Sequence, residues 1–272
     1  MNRLGRVLIL TLGWLGGMAS SQAIEWHGQF TQGALLIGTL APGEQVFYQD
    51  KALKLTPQGQ FVLGFGRDAE LEQQVTVISV EGVKQDIPLR LKKRDYDIQR
   101  INGVPQKMVT PNKDKLARIR SENALVAKAR KTDTGRLAFL QPFIWPAKGP
   151  ISGVYGSQRF FNDEPRRPHF GLDIAAPKGA PVLAPADGSI TLAHAGMYFS
   201  GATLIMDHGF GVSSTFIHLD EILVKEGQEV KQGELIARVG DSGRATGPHL
   251  DWRINWYQVR IDPRLLVSGS PE

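Results

Sequence analysis

Gly247-Pro248-His249-Leu250-Asp251-Trp252-Arg253 is the stretch on which the reading of this chain turns. In a β-strand, residues two apart point to the same face, so His249 and Asp251 project side by side while Leu250 packs behind them. An imidazole beside a carboxylate is half of a metal site or of an acid–base pair. A second pair lies upstream in Pro168-His169-Phe170-Gly171-Leu172-Asp173, and a third histidine ends the apolar run Phe216-Ile217-His218-Leu219. A lone histidine is more often a satisfied structural residue than a ligand. Two His/Asp clusters and a third histidine in the C-terminal half reverse that presumption.

The chain has 272 residues, 42% hydrophobic and 22% charged, which suits a globular protein of about two domains. Residues 1–23 read as a signal peptide: Arg3 and Arg6 precede the apolar run Val7 to Leu15, and Ser21-Gln22-Ala23 has the small-x-small cleavage pattern. The apolar run is too short to span a bilayer comfortably, although an uncleaved anchor is the other reading. No later stretch is apolar enough for a membrane helix, so the expected product is exported to the periplasm or cell envelope, with no membrane span after cleavage. The absence of cysteine then means an exported fold without disulfides, and it excludes thiol catalysis and thiolate ligands. The formal charge of +5 falls to +3 without Arg3 and Arg6. No dense basic patch with interleaved aromatics occurs, so nucleic acid is not expected as a partner. The mild positive charge is compatible with weak attraction to an anionic wall polymer.

Taken in order, residues 24–92 read as short strands broken by turns at Pro42-Gly43 and Pro57-Gln58-Gly59. Gly33 to Gly38, Gln45 to Tyr48, Lys54 to Thr56, Phe61 to Phe65 and the alternating Gln74 to Val80 are the expected strands of a small β-sandwich. His27 has no neighbouring ligand and reads as structural or exposed. Residues 93–140 form a charged connector. In it Asn112 to Lys131, starting after Pro111, carries Leu116, Ile119 and Val126 on a thin apolar stripe, as expected of a solvated helix resting one face on a domain. A membrane-surface helix would need a broader apolar face. Residues 141–268, with turns at Lys178-Gly179, Asp187-Gly188, Glu226-Gly227 and Gln232-Gly233, read as an antiparallel, largely two-sheet β domain. The fold class is thus mainly β: an N-terminal β-sandwich, a connector helix and a C-terminal antiparallel β domain.

Over about Trp145 to Pro263 the chain resembles the LytM/lysostaphin-type zinc metallopeptidases, which cut peptide cross-links of bacterial peptidoglycan. The resemblance rests on Phe143-Ile144-Trp145-Pro146 with Ile151 to Gly156, on His169-Phe170-Gly171-Leu172-Asp173-Ile174-Ala175-Ala176-Pro177, on Gly179 to Gly188, on Phe216-Ile217-His218-Leu219, and on Gly240-Asp241-Ser242-Gly243 leading to Thr246-Gly247-Pro248-His249-Leu250. It implies a metallopeptidase domain over 141–268, zinc held by His169, Asp173 and the residue at 251, and catalytic roles for His218 and His249. The family's last motif ends in a second histidine, the third zinc ligand; here Asp251 stands in its place.

Zinc accepts aspartate oxygen, so His169, Asp173 and Asp251 can still supply three ligands, with His218 and His249 moving protons and steadying the oxyanion. Two carboxylates should make the bound water less acidic and relax selectivity toward manganese or iron. The expectation is an active, retuned endopeptidase acting on peptidoglycan peptide, with a cell-envelope protein as a further partner. The alternative is a catalytically degenerate domain that binds or activates other cell-wall hydrolases. A biotinyl-type carrier is suggested only by Val230 to Ala237 and lacks the carrier lysine hairpin. His194 and His208 match no site position and read as structural.

Overall fold

The computed structural model describes residues 24–102 and 112–271. The leader expected at 1–23 and Pro111, expected to open the helix, lie outside these residues. Within them no helix is long and apolar enough to cross a membrane.

The N-terminal strands are β1 (Glu25–His27), β2 (Leu35–Thr39), β3 (Gln45–Tyr48), β4 (Lys51–Ala52), β5 (Gln60–Gly64), β6 (Glu72–Ile78) and β7 (Lys84–Arg90). They form two antiparallel sheets, β1-β2-β5 and β4-β3-β6-β7. Alternation is clear in β6, where Val75 and Val77 are buried between partly exposed neighbours. Lys54 to Thr56, expected as a strand, is not one.

The connector contains β8 (Ile98–Ile101) and α1 (Lys113–Ala129), the one α-helix of the described residues. Asn112 caps the helix by accepting from the Lys115 N–H at 3.3 Å. The apolar stripe is corrected in one position. Leu116 is exposed, and the face that packs is Ile119, Glu122, Val126 and Ala129, spaced three to four apart as one side of a helix requires. Val126 and Ala129 rest on Leu192, Met197 and Ile205. Glu122 is buried on that face because its Oε2 accepts the Tyr198 N–H at 2.8 Å, while Oε1 pairs with Arg118 one turn back.

The remaining strands are β9 (Ile151–Gly153), β10 (Gln158–Phe161), β11 (Glu164–Pro165), β12 (Leu172–Ala175), β13 (Pro181–Leu183), β14 (Gly188–Met197), β15 (Gly201–Gly209), β16 (Val212–Ile222), β17 (Glu229–Val230), β18 (Leu235–Val239), β19 (His249–Trp256) and β20 (Val259–Ile261). All but β10 and β11 join one ten-stranded sheet, in the order β17-β14-β15-β16-β19-β12-β9 with β13, β18 and β20 paired off that path. The expected two sheets are therefore one. β16 makes the difference: a register shift between Leu219 and Glu221 lets its far end pair with β18 while its near end pairs with β15 and β19. The connector strand β8 pairs with β10, and that pairing is parallel.

The fold is mainly β, as the sequence pattern indicates. One hydrophobic cluster runs from Leu35, Phe61 and Leu63 of the N-terminal sheets to Phe216, Trp252 and Ile261 of the large sheet. Gly64 lies so close to β19 that a Cβ there would sit 2.8 Å from the Trp256 Cβ. Each fully buried Leu, Ile or Phe in such a core contributes roughly 1.5–3 kcal/mol.

Candidate metal centre and groove

β19 is the spine of the site. Leu250 and Trp252 point into the core and are fully buried, which turns His249, Asp251 and Arg253 to the opposite face. The neighbouring strand β12 pairs antiparallel with β19 in a register that sets Asp173 against Asp251 and Ala175 against His249. His169 lies just before β12. Its Nε2 is 3.0 Å from Asp173 Oδ1 and 3.3 Å from Asp251 Oδ2. All three side chains are buried, and they are the His/Asp group of the described residues whose donor atoms converge as metal ligands would.

Two glycines make room for the carboxylates. A Cβ at Gly153 would sit 2.3 Å from Asp173 Oδ2, and one at Gly171 would sit 2.1 Å from Asp251 Oδ1. Larger residues at either place would drive the carboxylates out of the cluster.

His218 reaches the site by a different device. Between Phe216 and Leu219, β16 carries one more residue than β15 carries between Ala202 and Leu204. The extra residue forms a bulge in which His218 adopts φ 63°, in the left-handed region that a non-glycine residue occupies only when its surroundings impose it. The bulge aims the ring at His249, with ring centroids 4.9 Å apart. A groove of about 320 Å³ runs past both rings and past Asp173, walled by Gln99 and Ile101 of β8, Arg159 and Phe161 of β10, and the 244–248 loop. A larger cavity, about 730 Å³, lies elsewhere, among Tyr48, Phe65, Phe210 and Trp256, and holds none of these five residues.

The hydrogen bonds fix the tautomers of all three histidines. His169 Nδ1 lies 3.3 Å from the Val154 carbonyl, His218 Nδ1 2.7 Å from that of Ser242, and His249 Nδ1 2.8 Å from that of Gly247. A carbonyl only accepts, so each Nδ1 carries the proton and each neutral ring presents an Nε2 lone pair. Around His169 this brings three lone-pair atoms together: Nε2, Asp251 Oδ2 and Asp173 Oδ1, the last buried without a hydrogen-bond donor. Such crowding is relieved by a proton on His169 or by a cation. The separations of 3.0 and 3.3 Å match the roughly 3.3 Å between donors about 2.0 Å from a tetrahedral zinc. The donor set therefore fits a metal, and the Nδ1–carbonyl bond orients the histidine as in known metal sites.

Electrostatics point the same way. Burial works against a charge on His169, yet Asp251 and Asp173 beside it raise its pKa above the ordinary value. Burial and Asp251 favour the neutral acid at Asp173, but His169 and Arg159 hold it below the usual range. Asp251 is held well below it against burial by Arg253 and His169. His218 is pushed down to about 4, chiefly by burial, and is neutral at pH 7.

The structure thus gathers all five residues singled out from sequence. It also adds residues that sequence reading missed. Arg253 clamps Asp251 with Nε at 2.9 Å from Oδ1 and Nη2 at 2.5 Å from Oδ2. Arg159 Nη2 donates to Asp173 Oδ2 at 2.6 Å. The strand period already placed Arg253 on the face of Asp251; Arg159 comes from a separate sheet and gave no local signal. His208, by contrast, is a structural residue: fully buried, it is held between the Asp187 carbonyl and the Ser214 hydroxyl, each at 2.8 Å.

Residues 167–263 match the profile of peptidase family M23, and all five residues fall within the match. This segment is an M23 peptidase domain. Over 87 residues the chain is 44% identical to the peptidoglycan DD-endopeptidase ShyB of Vibrio cholerae, covering 32% of this chain and 20% of that protein. Over 119 residues it is 37% identical to ShyA of the same organism, also a peptidoglycan DD-endopeptidase, covering 40% of this chain and 25% of that protein. The chain thus spans a quarter or less of these curated relatives. A crystal structure solved as a candidate M23 peptidase of Pseudomonas aeruginosa superposes with a TM-score of 0.69 at 28% identity, covering 88% of this chain and 95% of that one. The likeness to that structure extends beyond the M23 segment to most of the chain.

Proposed function

We propose that this chain is an exported, zinc-dependent endopeptidase that hydrolyses peptide cross-links of peptidoglycan. The observation that carries the reading is the convergence of His169 Nε2, Asp173 Oδ1 and Asp251 Oδ2 beside two further histidines in one groove. Two relatives of the M23 segment are named as peptidoglycan DD-endopeptidases, which supports wall peptide as substrate. In this reading His169, Asp173 and Asp251 are the ligands, Arg253 and Arg159 hold the two carboxylates in place, and His218 and His249 act on the substrate. A zinc ion held there supplies Lewis-acid polarisation of the scissile carbonyl and a water of lowered pKa.

The chain's own groups handle the protons. The Nε2 atoms of His218 and His249 accept, because their Nδ1 protons are committed to backbone carbonyls. One ring takes a proton as the carbonyl is attacked. Once charged, its Nε2–H steadies the oxyanion and then protonates the leaving nitrogen. Burial disfavours charge on His218, so a proton taken there is readily passed on.

The division into 24–92, 93–140 and 141–268, the cleavage after Ala23, a periplasmic or envelope location and a cell-envelope protein partner belong to the same proposal. The test is digestion of purified sacculi with and without a chelator, together with metal analysis. Chelator-sensitive release of peptide fragments is expected. A metal-free protein that leaves sacculi intact would overturn the reading in favour of a degenerate binding domain, for which the charge balance of Asp173 and Asp251 against Arg159 and Arg253 speaks.

A further inference from the structure

Beside the groove lies a second cavity, of about 180 Å³, enclosed by the end of α1 and by β16, β19 and β20. Arg130, Arg159, Arg244, Arg253 and Arg260 line it, and no acidic side chain of the described residues does. It opens to the groove at His218, which both cavities share with Arg159 and Arg244.

Arg159 is answered by Asp173 and Arg253 by Asp251. Arg130 and Arg260 are not. Arg130 is 5% exposed; its Nη2 donates to the neutral Thr215 hydroxyl at 3.1 Å, and its Nε is buried without a partner. Arg260 Nη1 donates to the neutral Asn255 amide oxygen at 3.2 Å. Burial, then Arg260 and Arg253, weaken the hold of Arg130 on its proton against the pull of Asp251, and burial with Arg253 pushes Arg260 down to about 10 although Asp251 opposes it. A guanidinium stays charged at neutral pH, so Arg130 is a buried cation and Arg260 a half-buried one, neither in an ion pair among the described residues.

We propose that this pocket is a subsite for a carboxylate of the peptide substrate, held by Arg130 and Arg260. The inference rests on the endopeptidase reading and names the part of the substrate recognised beside the scissile bond. Three features favour a carboxylate. The guanidinium fork matches its planar geometry. The cavity has room for one short acidic group. It also opens at His218, where a peptide lying in the groove would pass.

The test uses the full chain and measures binding apart from hydrolysis. A short wall peptide with free carboxylates, the same peptide with its carboxylates amidated, and inorganic phosphate are titrated at constant ionic strength. The acid is expected to bind about tenfold or more tightly than the amide, as charge-assisted hydrogen bonds imply. Arg130→Gln and Arg260→Gln should each erase most of that preference. Arg130→Gln should also melt no lower than the parent, because it removes an unanswered buried charge, whereas a purely structural arginine would lower the melting temperature. Equal binding of acid and amide, or a preference that survives both substitutions, overturns the proposal. So does phosphate that competes with the peptide at equal concentration, which marks a general anion site. Sacculus digestion separates the two readings. Intact sacculi with the acid preference retained remove the endopeptidase and leave a wall-peptide pocket. Digestion without any acid preference removes the subsite and leaves the enzyme.

Discussion

Asp251 stands where the M23-like motif read from the sequence ends in histidine, and Arg253 is its structural counterpart two residues on. Arg253 is mostly buried and keeps both forks on one carboxylate. Asp251→Ala therefore does more than remove a ligand. It strands a guanidinium, and loss of one partner of a buried pair costs about 3–5 kcal/mol, with the lower end expected because Arg253 is partly exposed. Urea unfolding checks this; a loss near zero would show that Arg253 finds water instead. Asp251→His restores the usual ligand type but strands Arg253 in the same way, so the single substitution should be destabilising and Asp251→His with Arg253→Met should recover stability. A double-mutant cycle measures that coupling, and additive effects would deny it. Gly171→Ala tests the cradle. Its methyl would meet Asp251 Oδ1, so bound zinc and melting temperature should both fall; parental metal content would mean that the carboxylate has room to move.

At the scale of elements, the bulge between Phe216 and Leu219 explains how β16 delivers a histidine to the groove. His218 is expected to tolerate Asn, which accepts the left-handed conformation, and to resist Val, which should cost about 1–3 kcal/mol. His218→Asn should thus fold like the parent and lose hydrolysis, and parental rates from it would remove His218 from the chemistry. His208, on β15, reports acidity. Its folded pKa is lowered to about 4 from 6.5, so between those values the unfolded chain binds the extra proton. The neutral ring's contribution is fully present above pH 6.5 and is lost as pH falls toward 4, by up to about 3 kcal/mol. Melting temperature against pH should fall more steeply over that window for the parent than for His208→Gln; parallel curves would contradict it.

These elements also show what was legible beforehand. The period of two placed His249 and Asp251 together, and His169 and Asp173, read as a second pair a short reach apart, lie within 3.0 Å of each other. Turn residues marked most strands from Gln45 onward. What escaped depended on distant partners: the exposure of Leu116, the parallel pairing of β8 with β10, the bulge under His218, and the arginines that converge from α1, β10, β19, β20 and the loop before β19. No local pattern encodes a guanidinium arriving from far along the chain.

At the scale of the whole molecule, the continuous core ties the N-terminal sheets to β19 through Gly64 and Trp256. Described residues of both halves should melt together, in one calorimetric transition, and Gly64→Val should wedge them apart at a cost of about 1–3 kcal/mol. Two separate transitions in the parent would show that the halves are energetically independent. A last consequence follows from where β19 lies in the chain. His169 and Asp251 touch across 82 positions of sequence, and β19 must insert between β12 and β16, both of which precede it. A ribosome releases the chain N-terminus first. During synthesis the nascent polypeptide thus carries His169, Asp173 and His218 without the strand that lies beside them, and any product cut short before Asp251 lacks a member of the cluster. The order of the strands acts as a timer, withholding the complete cluster until the chain has been made through β19.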